Sequence, residues 1–152
     1  MADAACRIDV AGPDDAATVA PLFDAYRQFY RQPSDPALAL AFVGERLRRR
    51  ESVILLARGT DGEALGFTQL YPSFSSVSAC AIWVLNDLYV LPQARGRGVG
   101  RALLDAARAQ ALAAGARRLD LSTAHDNPAQ KLYEAAGYRR ESGFYHYSLP
   151  LA

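Results

Sequence analysis

Between Val19 and Tyr30 the apolar side chains fall at steps of three and four (Val19, Leu22, Phe23, Tyr26, Phe29, Tyr30), the spacing of one helix face. Asp14 and Asp15 precede this run as helix-start residues, and Gln32-Pro33 stops it. Ahead of it, Cys6, Ile8 and Val10 alternate up to Gly12-Pro13, which predicts a short strand and a turn. A second helix is expected after Ser34-Asp35-Pro36. Leu38, Phe42, Val43 and Leu47 share its face, and Arg46, Arg48, Arg49 and Arg50 close its C-terminal end, where cations suit the helix dipole.

Beyond Glu51 the period shortens. Ser52 to Ala57 and Leu65 to Tyr71 are β-rich runs joined through Thr60-Asp61-Gly62, a hairpin signature, and Pro72 is expected to end the second. Ala79 to Leu91, closed by Pro92, is apolar enough for a central strand. A glycine-rich loop at 95 to 100 leads into a helix over about 100 to 114, ended by Gly115. A strand at about 117 to 123, a helix at about 127 to 136 ended by Gly137, and strand-like residues 138 to 149 complete the chain. The expected order is βααβββαβαβ, with room for one more strand.

Composition narrows what such a chain does. At 152 residues, 51% hydrophobic and 22% charged, one domain over residues 1–152 with one core is expected. Seventeen Lys plus Arg against sixteen Asp plus Glu leave a charge of +1, so no long-range field draws nucleic acid, and any anion site must be local. Cys6 and Cys80 are too few for a disulfide framework and too isolated for a zinc cluster; both read as small apolar fillers in a reducing cytoplasm. No basic segment followed by an apolar one opens the chain, and no apolar run approaches the ~20 residues of a membrane span, so neither secretion nor a membrane is expected.

The candidate chemistry lies in Arg95-Gly96-Arg97-Gly98-Val99-Gly100, between an apolar strand and a helix. There, free main-chain amides and the helix dipole form a cradle for anions, and glycines let the backbone approach phosphate closely. A P-loop would continue as Gly-Lys-Ser/Thr, but Gly100 is followed by Arg101-Ala102. The G-x-G-x-x-G fingerprint also fails, because Arg101 takes the place of its third glycine.

Arg95-x-x-Gly98-x-Gly100 after Val90-x-Pro92 resembles the pyrophosphate loop of the GNAT (N-acetyltransferase) superfamily. Asn127-Pro-Ala-Gln-Lys131-Leu-Tyr133-Glu-Ala-Ala-Gly137-Tyr138 is similar to that family's second coenzyme-binding segment. The likeness is specific over residues 50 to 149. Asn86-Asp87-Leu88-Tyr89-Val90 is also similar, more loosely, to the branch of polyamine and histone acetyltransferases.

The resemblance implies an α+β fold: a mixed, mostly antiparallel sheet of six or seven strands with about four helices, splayed between the fourth and fifth strands. It implies acetyl-coenzyme A as co-substrate, with no metal. Main-chain amides of Arg95, Gly96, Arg97, Gly98, Val99 and Gly100 would hold the pyrophosphate, with local charge from Arg95, Arg97 and Arg101. Each arginine also reads as part of a solvated loop. Pantetheine would pair with the strand edge at Leu88, Tyr89 and Val90, and an amide at the splay would stabilise the oxyanion. Tyr133 falls on the position of the acid that protonates the departing thiolate, its phenol staying protonated at an intrinsic pKa of ~10; the alternative is an ordinary packed aromatic. Asn127 contacts the pantetheine arm, caps its helix, or does both.

The general base is open. Val84 and Asn86 stand where the family often has an acid, and Asp87 is the nearest carboxyl, though strand alternation turns it away from Asn86 unless a bulge re-aims it. His125, or a water chain ending on main-chain carbonyls, are the alternatives. Candidate acceptor-lining residues are Tyr26, Tyr30, Asp35 and Asn86, with Phe29, Tyr71, Phe74 and Trp83; of these Phe29 and Trp83 read better as packing. Tyr30, Asp35 and Asp87 together suit a cationic amine.

The expected function is direct acetyl transfer to a primary amine of a small molecule, polyamine or amino acid-like, or of a lysine side chain. No cysteine lies in the motif segments, so no acyl-enzyme is expected. A non-catalytic sensor or interaction module that binds acetyl-coenzyme A is the alternative. Phe144-Tyr145-His146-Tyr147-Ser148-Leu149 is β-prone and suited to pairing across a homodimer.

Overall fold

The first helix, α1 (Ala16–Phe29), and the second, α2 (Pro36–Arg48), form where the three- and four-residue spacing places them. Their joint is built around a buried carboxylate. Asp24 accepts hydrogen bonds from Ser34 Oγ (2.7 Å), the Asp35 amide (2.8 Å) and Gln28 Nε2 (3.1 Å), and the Ser34 bond first, then the Asp35 amide, hold it below the usual carboxylate range. Asp35 in turn caps α2 by accepting from the Leu38 amide at 3.1 Å.

The computed structural model describes residues 6–152, in two compact units that divide after Ser122. The first holds a five-stranded sheet in sequence order: β1 (Arg7–Val10), β2 (Val53–Arg58), β3 (Ala64–Ser75), β4 (Cys80–Val90) and β5 (Leu119–Asp120). The first three pairings are antiparallel and the last, β4 with β5, is parallel. Between β4 and β5 runs α3 (Val99–Ala113). One sheet face carries Ile54, Leu56 and Phe67 against Val19, Leu22 and Phe23 of α1 and Val43 and Leu47 of α2. The alternate positions Leu55, Leu70 and Leu85 turn to the other face, where α3 supplies buried Leu103, Leu104 and Ala107.

The second unit, Thr123–Ala152, contains one short helix, α4 (Gln130–Ala135). Residues 138–152 are neither helix nor strand. The sheet therefore has five strands among the described residues rather than six or seven, because the β-prone segment after Tyr138 joins no ladder in this chain.

Pro72 does not end β3, which continues to Ser75. The pairing of β2 with β3 stops at Val53↔Leu70, so Pro72 lies beyond β2, on a stretch where β3 has only β4 beside it. Its partner Trp83 donates its amide the other way, to Arg118 O of the segment entering β5, so the missing proline N–H removes no ladder bond. Among the described residues no helix is long and apolar enough to cross a membrane.

Candidate functional site

Three features of the first unit converge on the C-terminal half of β4. The first is a gap. Parallel pairing with β5 is confined to Trp83↔Leu119 and Val84↔Asp120, whereas β4 runs on to Val90, so among the described residues no strand pairs with its outer edge from Leu85 onward. On its inner side Leu91 donates to Leu65 O at 2.9 Å, and Tyr89 and Asp87 stand opposite Phe67 and Gln69. Antiparallel alternation then sends the main-chain groups of Leu88 and Val90 to the open edge. Arg95 takes one of these groups, its Nε donating to Val90 O at 2.8 Å while the guanidinium lies over the Tyr89 ring.

The second feature is the loop that follows. A short 3-10 turn at Pro92–Ala94 leads into Gly96 and Gly98, both with left-handed backbone (φ 75° and 84°), and α3 begins at Val99. Buried Ala94 and Val99 anchor the loop on either side. A Cβ at Gly96 or Gly98 would meet no atom within 4 Å, so the backbone faces open space. The first α3 bond runs from the Ala102 amide to Gly98 O, and the amides at a helix start lie beyond reach of the helix's own carbonyls. A positive helix end, exposed main chain and Arg97 beside it make a fit for a diphosphate. Arg101 forms an i,i+4 ion pair with Asp105 at 3.0 Å.

The third feature is a buried acid. Along β4 the register skips Asn86: Leu85 stands opposite Leu70 and Asp87 opposite Gln69. This extra residue is the bulge that alternation required. It exposes Asn86, sends Asp87 to the α1/α2 face with Phe67 and Gln69, and brings the two side chains together, Asn86 Nδ2 donating to Asp87 Oδ1 at 2.8 Å. Gln69 Nε2 donates to Asp87 Oδ2 at 2.6 Å, and Ser52 Oγ donates to Gln69 Oε1 at 2.8 Å. The Thr68 hydroxyl donates to the Asp87 main-chain carbonyl at 2.7 Å. Asp87 is 2% exposed, and burial raises its carboxyl above the usual range, partly offset by the bonds from Asn86, Gln69 and the Tyr26 hydroxyl. Burial first, and the Asp87 charge second, push the neighbouring Tyr71 hydroxyl up to about 12, so it stays protonated.

Aromatic side chains surround the bulge. Tyr26 donates its hydroxyl to Asn86 O at 3.1 Å and meets Tyr30 edge-on at 5.1 Å, while Phe29 spans Tyr30 and Tyr89. Tyr26, Tyr30 and Asn86 are thus brought together, and Phe29 joins them half-exposed rather than as packing. Trp83 is buried packing, as its type suggested; Phe74 is exposed at the end of β3; Asp35 serves as the α2 cap. Ser52, Gln69 and Thr68 were not singled out in the sequence. The one signal for Thr68 and Gln69 is polarity inside the apolar run Leu65–Tyr71, which a strand tolerates in its interior only when each polar group finds a partner; Ser52, ahead of β2, carries none.

In the second unit, the Asn127 side-chain oxygen accepts from the Ala129 amide at 2.9 Å at the entry to α4. Tyr133 is buried, with its ring 6.0 Å from that of Tyr138. His125 is exposed, and its carbonyl accepts from Gln130 Nε2 at 2.6 Å.

Comparisons with known proteins agree with this arrangement. The model of the family described as Acetyltransferase (GNAT) family matches residues 19–138. The chain is 54% identical to the uncharacterized N-acetyltransferase YhfO of Bacillus subtilis (strain 168), over 89% of this chain and 91% of that one. It is 32% identical to an aminoglycoside N(6')-acetyltransferase type 1 of Stenotrophomonas maltophilia, over 70% and 72% of the two chains. Among solved structures, the crystal structure of a probable acetyltransferase is similar at a TM-score of 0.89 and 44% identity, covering 96% of this chain and 98% of that one. These relatives do not support the looser likeness of Asn86–Val90 to the polyamine and histone branch.

Proposed function

Because the chain belongs to the acetyltransferase (GNAT) family, we propose that it moves the acetyl group of acetyl-coenzyme A to a primary amine of a small, cationic acceptor, with amino sugars the first class to try. The observation that carries this reading is the open edge of β4 beyond Val84, continuous with the glycine loop that opens α3. The amides of the Gly96–Gly100 stretch hold the pyrophosphate. The outer main-chain groups of Leu88 and Val90 pair with the amide-bearing arm, and Arg95 releases Val90 O to turn toward phosphate.

The acceptor enters beside Tyr26, Tyr30 and Asn86, where ring faces attract a cation. Its ammonium must lose a proton before nitrogen attacks the thioester carbonyl. At 2% exposure Asp87 takes that proton through the Tyr26 hydroxyl or an intervening water rather than by touching the amine. As the new C–N bond forms, the C–S bond breaks; nitrogen gives up its second proton and the departing thiolate takes one up, for which the family resemblance implies the Tyr133 phenol as the donor, itself reprotonated from solvent before the next turnover. The acceptor class is supported by the aminoglycoside acetyltransferase relative. The test is thiol release from acetyl-coenzyme A across a panel of amino sugars, polyamines, amino acids and lysine peptides. Amine-dependent release with a matching acetylated product supports transfer; coenzyme binding with no amine-dependent release points to a sensor instead.

Two further outcomes follow from the same geometry. Gly98→Val forces an L side chain into left-handed backbone, at about 1–2 kcal/mol, and fills the space through which phosphate approaches. Acetyl-coenzyme A affinity by calorimetry should fall at least ~10-fold, with the fold retained by circular dichroism. Asn86→Ala removes the first of the hydrogen bonds that lower the Asp87 pKa. A base works deprotonated, so the acid limb of kcat/KM should move to higher pH, while the rate above it changes less than the limb does.

A further inference from the structure

The core of the sheet holds a polar pair that packing alone does not call for. Gln69 and Asp87 stand directly opposite each other on β3 and β4, so their side chains project to one face as cross-strand neighbours. Gln69 is fully buried and Asp87 nearly so. An ionised carboxylate only accepts hydrogen bonds, so the Gln69 amide must turn its nitrogen toward Asp87, and Nε2 donates to Oδ2 at 2.6 Å. The amide oxygen then faces away and needs a donor of its own. Ser52, just ahead of β2, supplies it through Oγ at 2.8 Å.

The carboxylate is thereby held at both oxygens. Gln69 takes Oδ2, while Asn86 Nδ2 donates to Oδ1 at 2.8 Å from the exposed bulge. Bonds to different oxygens fix the rotation of the carboxylate plane. Among the described residues no cation is one of the groups that shift Asp87. The titratable groups facing it are Tyr26 from α1 and Tyr71 from β3, the second kept neutral by a pKa pushed up to about 12. Tyr71 also lies in the field of Arg46 on α2 and Glu51 ahead of β2, which pair with each other at 2.8 Å and so largely cancel. The charge on Asp87 therefore rests on neutral donors, and at the buried Gln69 no solvent can replace the donor that is there.

We infer that Gln69, oriented by Ser52, is a positioning residue for the transfer: it engages Asp87 Oδ2 and fixes the carboxylate plane, so that Oδ1, at the Asn86 end, is the oxygen that receives the acceptor's proton. The inference rests on the reading of Asp87 as the base. Ser52 acts at one remove, because its hydroxyl polarises the amide and so strengthens the N–H that meets the carboxylate. A flipped amide would set oxygen against oxygen and would suit only the protonated acid, which cannot serve as a base.

The test follows one titration in two ways. The pH profile of kcat/KM is measured by thiol release with whichever amine of the panel reacts fastest, beside the Asp87 carboxyl resonance by 13C NMR, in wild type, Gln69→Met and Ser52→Ala. Methionine keeps the length of glutamine and removes both hydrogen bonds. Gln69→Met should lose at least ~10-fold in kcat/KM on the acid limb, the loss expected for one hydrogen bond to a charged group, and progressively less at higher pH, with KM for acetyl-coenzyme A unchanged. The carboxyl titration should move to higher pH with it. Ser52→Ala should move both in the same direction by less, and Ser52→Thr, which keeps the hydroxyl, should restore them. A loss equal at every pH, or a carboxyl titration that stays in place, overturns the inference. A carboxyl titration that moves while the acid limb does not removes Asp87 as the base, and so overturns the reading beneath; a panel with no reactive amine overturns both. Should Gln69→Met fail to fold, Ser52→Ala carries the same comparison, and in the wild-type chain the Gln69 side-chain amide protons must shift as Asp87 titrates. Amide protons indifferent to that titration overturn the inference.

Discussion

Tyr133→Phe is expected to lower kcat by at least ~10-fold, and within the 10²–10⁴ range typical of a positioned proton donor, while leaving acetyl-coenzyme A affinity near wild type. The substitution removes one oxygen and keeps the ring, so the buried packing against Tyr138 survives. Without the phenol the thiolate must leave as an anion or be protonated by water. A phenol in its place supplies that proton in the step in which the C–S bond breaks. Measured by thiol release at saturating acceptor, a kcat unchanged from wild type would remove Tyr133 from the chemistry and leave it as a core aromatic.

The second large effect is expected at the bulge. Asp87→Asn should lower kcat/KM about 10²-fold near neutral pH and abolish the acid limb of its pH profile, because no carboxyl remains to titrate. Burial lifts that carboxyl above the usual range, so the wild-type rate should rise with pH through the raised value, and the limb should lie above the usual carboxylate range. The same shift has a sign for stability. A carboxyl whose folded pKa exceeds its unfolded one contributes stability fully below the unfolded value and loses it as pH rises through the folded value. The carboxylate is therefore held at a cost to the fold, which suits a group kept for chemistry. A variant that keeps both its limb and its rate would place the base elsewhere, with His125 the next residue to change.

Much of the fold was legible because α1 and α2 write their apolar faces at helical spacing, and because Thr60-Asp61-Gly62 marks a turn between two β-rich runs. The glycine loop was legible for a different reason: left-handed backbone at Gly96 and Gly98 is a position where glycine alone is comfortable, so the residues record the geometry. The β4 bulge left no such record. Asn86 inserts between Leu85 and Asp87 without a glycine or proline, and an uninterrupted alternation through 79 to 91 is the natural reading of the residues. With the bulge missed as a fact, the Ser52–Gln69–Asp87 chain of hydrogen bonds was missed as well, since only the flipped face brings Asp87 to Gln69. Pro72 misled in the opposite sense, because its tolerance depends on where β2 ends, a tertiary fact.

The C-terminal segment shows the limit of local pattern most clearly. Residues 138 to 149 read as strand-like, yet a strand is defined by its neighbour, and this segment enters none of the chain's ladders. Tertiary context overrides propensity here, as it does wherever a ladder partner decides the outcome.

Amide hydrogen exchange with and without saturating acetyl-coenzyme A tests the binding geometry on which transfer depends. Slower exchange is expected at the amides of Gly96 to Gly100 and at Leu88 and Val90, with β1 and β2 unchanged. Full occupancy that leaves both stretches exchanging as in the free protein would contradict it.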